Sequence, residues 1–266
     1  MERIQSALAK ARSARDRKLQ PAGGAGKSGQ ANPWTEMAEV TLDPRVLASN
    51  LIVAHQPGQA ASNFDVMRTN LLRTLRANGW SRVAITSPSP GCGKSTVALN
   101  LALSLARLAD TRVLLIELDL RHPSLIEKLG LPKDQNFIRS IGGGTLDMAQ
   151  IKRIGPNLAL ALNSRPLESP AELLSAPRTA DLIDEVEQRL RPDVILFDMS
   201  PLLVSDDALA YLDQVDCALM VAAAEESRIS EIEKCGAELG KRTQVLGVVL
   251  NKCRYMEEDE SRAYPV

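Results

Sequence analysis

Six short apolar runs recur between residues 82 and 251, and they limit the fold more than any other feature: RVAIT (82–86), RVLLIEL (112–118), LALAL (158–162), DVILFD (193–198), CALMVA (217–222) and VLGVVLN (245–251). Nearly every position in them is apolar, the pattern of a strand covered on both faces rather than one. Between them lie segments of helical period, such as 95–109, where Val97, Leu101, Leu105 and Leu108 recur at spacings of four, four and three. Strand and helix in repetition imply right-handed crossovers. The expected fold is therefore α/β, a doubly wound and mostly parallel sheet with helices on both faces. In such a sheet, ligands bind at the carboxyl ends of the strands.

The first run feeds directly into TSPSPGCGKSTV (86–97). A strand, a tight turn whose amides point inward and a helix opening at Lys94 make a phosphate-binding loop, because the helix presents free N–H groups and its positive end to the anion. The GxxxxGK[ST] template is met except at its first glycine, which is Pro88 here. Pro90, Gly91, Cys92, Gly93, Lys94, Ser95 and Thr96 are the expected cradle. Lys94 would neutralise the β- and γ-oxygens, and the Ser95 hydroxyl would reach Mg²⁺. A second GKS, in GGAGKSG (23–29), has neither strand nor helix beside it and reads as a chance match within a linker.

Two other strand ends carry acids. Asp198 closes DVILFD, where a lone carboxylate is costly unless it meets a cation, so it is the expected Walker B ligand of Mg²⁺. In LLIELDLRHP, Glu117, Asp119 and Arg121 alternate, and period two would put all three side chains on one face. Beside a nucleotide loop, the acid pair reads as metal ligand plus general base. Cys92, at a helix start, reads mainly as filler between two glycines, and His122 as a strand-exit residue.

The formal net charge of −1 and an aromatic content of 3% argue against nucleic acid as a partner, since both a basic field and stacking platforms are missing. The four cysteines form no CxxC pair, which argues against zinc and a disulfide framework. No apolar run approaches the ~18 residues of a membrane span, and the first residues lack the core of a signal peptide, so a cytoplasmic location is expected. Residues 1–20 read as a basic helix with Ile4, Ala7, Leu8 and Ala11 on one stripe, either a solvated arm or a docking element for a partner or an anionic membrane face. Residues 21–44 read as a Gly- and Pro-containing linker, 45–253 as the ATPase domain and 254–266 as an acidic tail with Tyr255 and Tyr264.

The loop, LLIELDLR, ILFDMSP, ESPAELLSAP (168–177), SDDALAYLDQVD (205–216) and GVVLNK (247–252) together resemble the bacterial tyrosine kinases, the cytoplasmic ATPases of capsule and exopolysaccharide chain-length machinery, over residues 46–253. That resemblance implies a P-loop fold, Mg·ATP as cofactor, Asn251 at the adenine, and phosphoryl transfer to tail tyrosines, here Tyr255 and Tyr264. It also implies Lys94, Glu117, Asp119 and Asp198 as catalytic residues. Ser95, Asp119 and Asp198 would organise Mg²⁺, and Glu117 or Asp119 would accept the tyrosine proton. The partner would be a separate membrane chain-length (polysaccharide co-polymerase) subunit that recruits the chain to the inner face of the membrane, and homo-oligomers would form.

This sequence departs from the family pattern at three places. Glu117 stands where aspartate is usual, the tail holds only two tyrosines, and Ser62 and Asp65 replace the Glu and first Arg of an ExxRxxR assembly motif, leaving Arg68. Two other readings stay open at this stage: an ATP-gated scaffold of the same machinery that transfers phosphate poorly, and a partition- or division-site positioning ATPase. The latter type carries an early loop lysine where this chain has Ser89.

Overall fold

The computed structural model describes residues 32–143 and 145–253. In chain order the elements are α1 (Pro33–Glu36), β1 (Ala38–Glu39), α2 (Pro44–Ser49), α3 (Ser62–Asn78), β2 (Arg82–Thr86), α4 (Lys94–Ala106), β3 (Val113–Glu117), α5 (Leu125–Leu129), α6 (Ile138–Gly143), β4 (Ile151–Ile154), β5 (Leu158–Ala161), α7 (Pro170–Ser175), α8 (Pro177–Leu190), β6 (Val194–Asp198), β7 (Cys217–Ala223), α9 (Ile229–Gly240) and β8 (Gln244–Asn251). The strands form one sheet in the order β1-β4-β5-β3-β6-β2-β7-β8. Every neighbouring pair is parallel except β4 with β5.

The central strands β2, β3 and β6 are buried at every position, which is why their sequences lack alternation. Their side chains nevertheless divide by period two between two cores. Val83, Ile85, Val113, Leu115, Val194 and Leu196 face α3, α4 and α5. Ala84, Leu114, Ile116, Ile195 and Phe197 face α8 and the residues around Trp34. Helix α4 is buried from Ser95 through Leu105 apart from Thr96, so it lies between the sheet and α3 and its position is fixed on both sides. Because β2 lies between β6 and β7, the crossover through α4 leaves in one direction and the chain returns in the other. The loop after β2 thus opens at a switch point of the sheet.

Two expectations change. The linker is expected to run to residue 44, but α1 and β1 lie within that range; the Asn32 side chain caps α1 by accepting from the Trp34 N–H, with Pro33 at the first helical position. Trp34 is buried, donates its indole N–H to the Leu190 carbonyl at 2.7 Å and lies under the Arg112 guanidinium, 5.4 Å from the ring centroid. Next to it, β1 pairs with β4. The second change concerns β8. It is the sheet's edge, and Val245, Val248 and Leu250 are exposed rather than covered on both faces. The basic helix within 1–20, the linker up to residue 31, and the tail with Tyr255 and Tyr264 lie outside the described residues. Among the described residues, no helix is long and apolar enough to cross a membrane.

Candidate active site

The loop after β2 is held by the Ser87 hydroxyl, which donates to the Ser89 carbonyl at 2.8 Å, and by its neighbours. The Leu202 and Leu203 amides donate to the Ser87 and Pro88 carbonyls, and the Thr86 hydroxyl donates to the Ser200 carbonyl. Gly91 and Gly93 take φ of +82° and +90°, where a side chain would be strained. Gly93 is also the N-cap of α4 and supplies no capping side chain, so the first amides of the helix have no side-chain cap. Behind it, the Asn251 Nδ2 at the end of β8 donates to the Cys92 carbonyl at 2.9 Å. The Cys92 thiol is buried against the Ser89 and Ser227 hydroxyls. Burial opposes its ionisation, but those hydroxyls together with the Ser89 and Ala223 backbone more than offset this and lower its pKa.

Lys94 reaches across to β3's exit and pairs with Asp119 at 2.6 Å. Burial disfavours its charge, but the carboxylates of Asp198 and then Asp119 outweigh that and raise its pKa. Asp198 is 0% exposed, and neither of its carboxylate oxygens has a hydrogen-bond partner. Burial pushes its pKa up to about 6 against the pull of Lys94 and the nearby Ser95 hydroxyl. A fully buried acid with two orphaned oxygens, beside a serine hydroxyl and a second carboxylate, is a set of hard oxygen donors of the kind Mg²⁺ takes, and a cation there would relieve the desolvation of Asp198.

The acidic strand exit does not present one face, because β3 ends at Glu117 and the three side chains diverge. Glu117 turns toward backbone. Its Oε1 accepts from the Ser124 and Leu125 amides at 2.7 and 2.8 Å, and its Oε2 accepts from the Asn163 amide at 2.9 Å. Burial raises its pKa to about 7 even against those three donors. Arg121 points elsewhere, forming a two-point contact with Asp207 at 2.9 and 3.1 Å and donating to the Glu168 carbonyl at 2.8 Å. It ties together the segments 168–177 and 205–216 that stood out in the sequence. His122 donates its backbone N–H to Asp119 at 3.3 Å and its ring takes no part.

A cleft of about 580 Å³ lies over Gly91, Gly93 and the first turn of α4. One wall is apolar, from Leu51, Val53 and Phe64, and Asn251 and Lys128 border it as well. The segment carrying Leu51 and Val53 is fixed by Asn100 of α4, which is fully buried. Its Oδ1 accepts from the Val53 and Ala54 amides and its Nδ2 donates to the Leu51 and Thr96 carbonyls. A hollow of similar size among Asn32, Glu36, Arg112 and Arg191 lies where β3 and β6 begin, at the other end of the strands from the loop. Asn100 and Lys128 were not singled out from the sequence. Asn100 gives the only cue, a polar residue on the apolar stripe of a buried helix.

Where the ExxRxxR pattern was expected, Asp65 makes a two-point contact with Arg107 at 2.9 and 3.0 Å and accepts from the Ser104 hydroxyl at 2.6 Å. Arg68 turns onto the Ser104 carbonyl at 2.9 Å, so these residues join α3 to α4.

Residues 83–263 match the model of the CobQ/CobB/MinD/ParA nucleotide-binding domain. The chain is 30% identical over 187 residues to EpsB of Ralstonia solanacearum, covering 70% of this chain and 24% of EpsB. A second EpsB, from Ralstonia nicotianae, is matched over 29% of its length, so the chain spans less than a third of these relatives. It is 28% identical to the tyrosine-protein kinase CpsD of Streptococcus pneumoniae over 73% of this chain and 85% of CpsD. Among solved structures, the chimerical protein CapA2B2 is similar with a TM-score of 0.69 and 26% identity, over 78% of this chain and 91% of that one.

Proposed function

Because the chain belongs to the CobQ/CobB/MinD/ParA nucleotide-binding domain family, we propose that its cleft binds Mg·ATP and that it is a tyrosine autokinase of capsule or exopolysaccharide production, working with a separate membrane chain-length subunit. The name of CpsD supports the kinase reading. The observation that carries it is the pairing of an uncapped helix start with a half-buried lysine and a buried, orphaned carboxylate.

In this reading the amides of residues 91–96 and the Lys94 ammonium hold the phosphates. Mg²⁺, with Ser95, Asp119 and Asp198 as candidate ligands, would offset charge on the phosphate oxygens when bound. The γ-phosphoryl group passes to a tyrosine oxygen as its bond to the β-phosphate oxygen breaks, and the phenolic proton goes to a carboxylate. Asp119 is the better acceptor, because Glu117 is held by three short bonds from backbone amides, whereas Asp119 Oδ1 accepts one long bond from the His122 amide at 3.3 Å and its other partner, Lys94, turns to the phosphates in this reading. Glu117 is therefore a positioning residue. Asn251, which borders the cleft, is the candidate contact to the adenine.

Catalysis here is chiefly positioning and charge stabilisation. Tyr255 and Tyr264 are the candidate acceptors. The commitment of Glu117 to backbone favours one second reading, an ATP-gated scaffold. The test is to incubate the purified chain with Mg·ATP, alone and with cytoplasmic segments of membrane partners, and to map phosphate by mass spectrometry, with Lys94→Met as control. Phosphotyrosine that vanishes in the control is expected. Tight ATP binding without phosphotyrosine under every condition would replace the kinase by the scaffold.

A further inference from the structure

Three lysines border the cleft, and two of them are committed. Lys94 is bound to Asp119 at 2.6 Å, and Lys252 meets both Glu226 oxygens at 2.9 Å. Lys128, on α5, lies on the wall of the same cleft as Gly93, Lys94 and Ser95, and no carboxylate lies within ion-pairing distance of it among the described residues. Ser95 and Thr96, at the start of α4, line that cleft together with Lys128.

The helix beneath Lys128 is fixed at both ends. Glu117 grips the Ser124 and Leu125 amides at its start. Gly130 closes it at φ +65°, packed so tightly on α2 that a Cβ there would come within 2.9 Å of Val46. Glu117, Asp119 and Asp198 crowd this end of the sheet with three acids, and a triphosphate adds more negative charge. An unpaired, half-buried ammonium on an anchored helix is what such a site needs.

We propose, resting on the nucleotide-binding reading above, that Lys128 is a second phosphate-binding lysine, held in place through Glu117 and α5, that contacts the terminal phosphate of the bound triphosphate. It discriminates ATP from ADP.

The test is isothermal titration of the full chain with Mg·ATP and with Mg·ADP, for the wild type, Lys128→Gln and Lys128→Arg, with circular dichroism to verify folding. Loss of one charge-assisted contact predicts that Lys128→Gln weakens ATP binding about 10- to 100-fold while leaving ADP within about twofold, and that Lys128→Arg retains most of the ATP affinity. Unchanged ATP affinity in Lys128→Gln, or equal losses for both nucleotides, would overturn the assignment. If Lys128→Gln does not fold, the arginine variant decides: it must keep the ATP preference. A wild-type chain that binds neither nucleotide would instead sink the nucleotide-binding reading itself.

Discussion

Gly93→Ala tests the geometry of the phosphate loop without any ligand. The residue sits at φ +90°, where an L side chain costs about 1–2 kcal/mol. A Cβ there would come 2.1 Å from the Asn251 Nδ2, so the Asn251 side chain must move and release the Cys92 carbonyl, at a further ~1 kcal/mol. The substitution should therefore destabilise by about 2–3 kcal/mol. Asn251→Ala alone should cost about 1 kcal/mol, the value of its hydrogen bond. In the Asn251→Ala background the obstruction is gone and Gly93→Ala should cost only the backbone strain, leaving a coupling of about 1 kcal/mol between the two sites. Urea denaturation of the four proteins without nucleotide, followed by circular dichroism, reads this from midpoints at a shared slope. Additive costs would refute the contact between Gly93 and Asn251. A Gly93→Ala variant as stable as the wild type would refute the positive φ as well.

Two further predictions concern the acids and the N-terminal segment. Glu117 has its pKa raised from 4.5 to about 7, so the folded state holds a proton that the unfolded state has released; its stabilising contribution is full below about 4.5 and lost as pH rises through about 7. Asp198 acts in the same direction up to about 6. Denaturation midpoints across that range, without Mg²⁺, should fall with pH less steeply in Glu117→Gln than in the wild type, by at most ~1.4 kcal/mol per pH unit, and parallel curves would contradict the burial argument. Trp34→Ala should cost about 3–5 kcal/mol by cavity formation and loss of its bond to Leu190, measured by thermal or urea unfolding; no loss would mean that residues 32–39 are not part of the folded unit.

What could be read in advance followed burial. β2, β3, β5, β6 and β7 were legible within about a residue at each end, because strands covered on both faces leave unbroken apolar runs. β1 and β4 were not. The first has two residues, and IKRI carries Lys152 and Arg153 on an antiparallel strand toward the sheet's edge. Asn32-Pro33-Trp34 did hold a signal, a capping residue followed by proline and an aromatic, but the Gly-rich residues before it masked it. In the site, Lys94, Asp119 and Asp198 come together as their motifs implied. Glu117, Asp119 and Arg121 do not share the one face expected of them, because alternation holds only while the strand lasts and β3 ends on Glu117. Lys128 lies in no motif, and only the packing of α5 beside the loop makes it a cleft residue.

The Asn251 bridge has a consequence for communication along the chain. β8 ends at Asn251, two residues before the end of the described structure, and the side chain of that last strand residue braces the backbone of the phosphate loop. A force or a docking event that shifts the chain after β8 therefore acts on the loop through one hydrogen bond, with no intervening domain. Reciprocity follows: a ligand that tightens the loop stiffens the end of β8, and whatever displaces the end of β8 alters ligand affinity by the same factor.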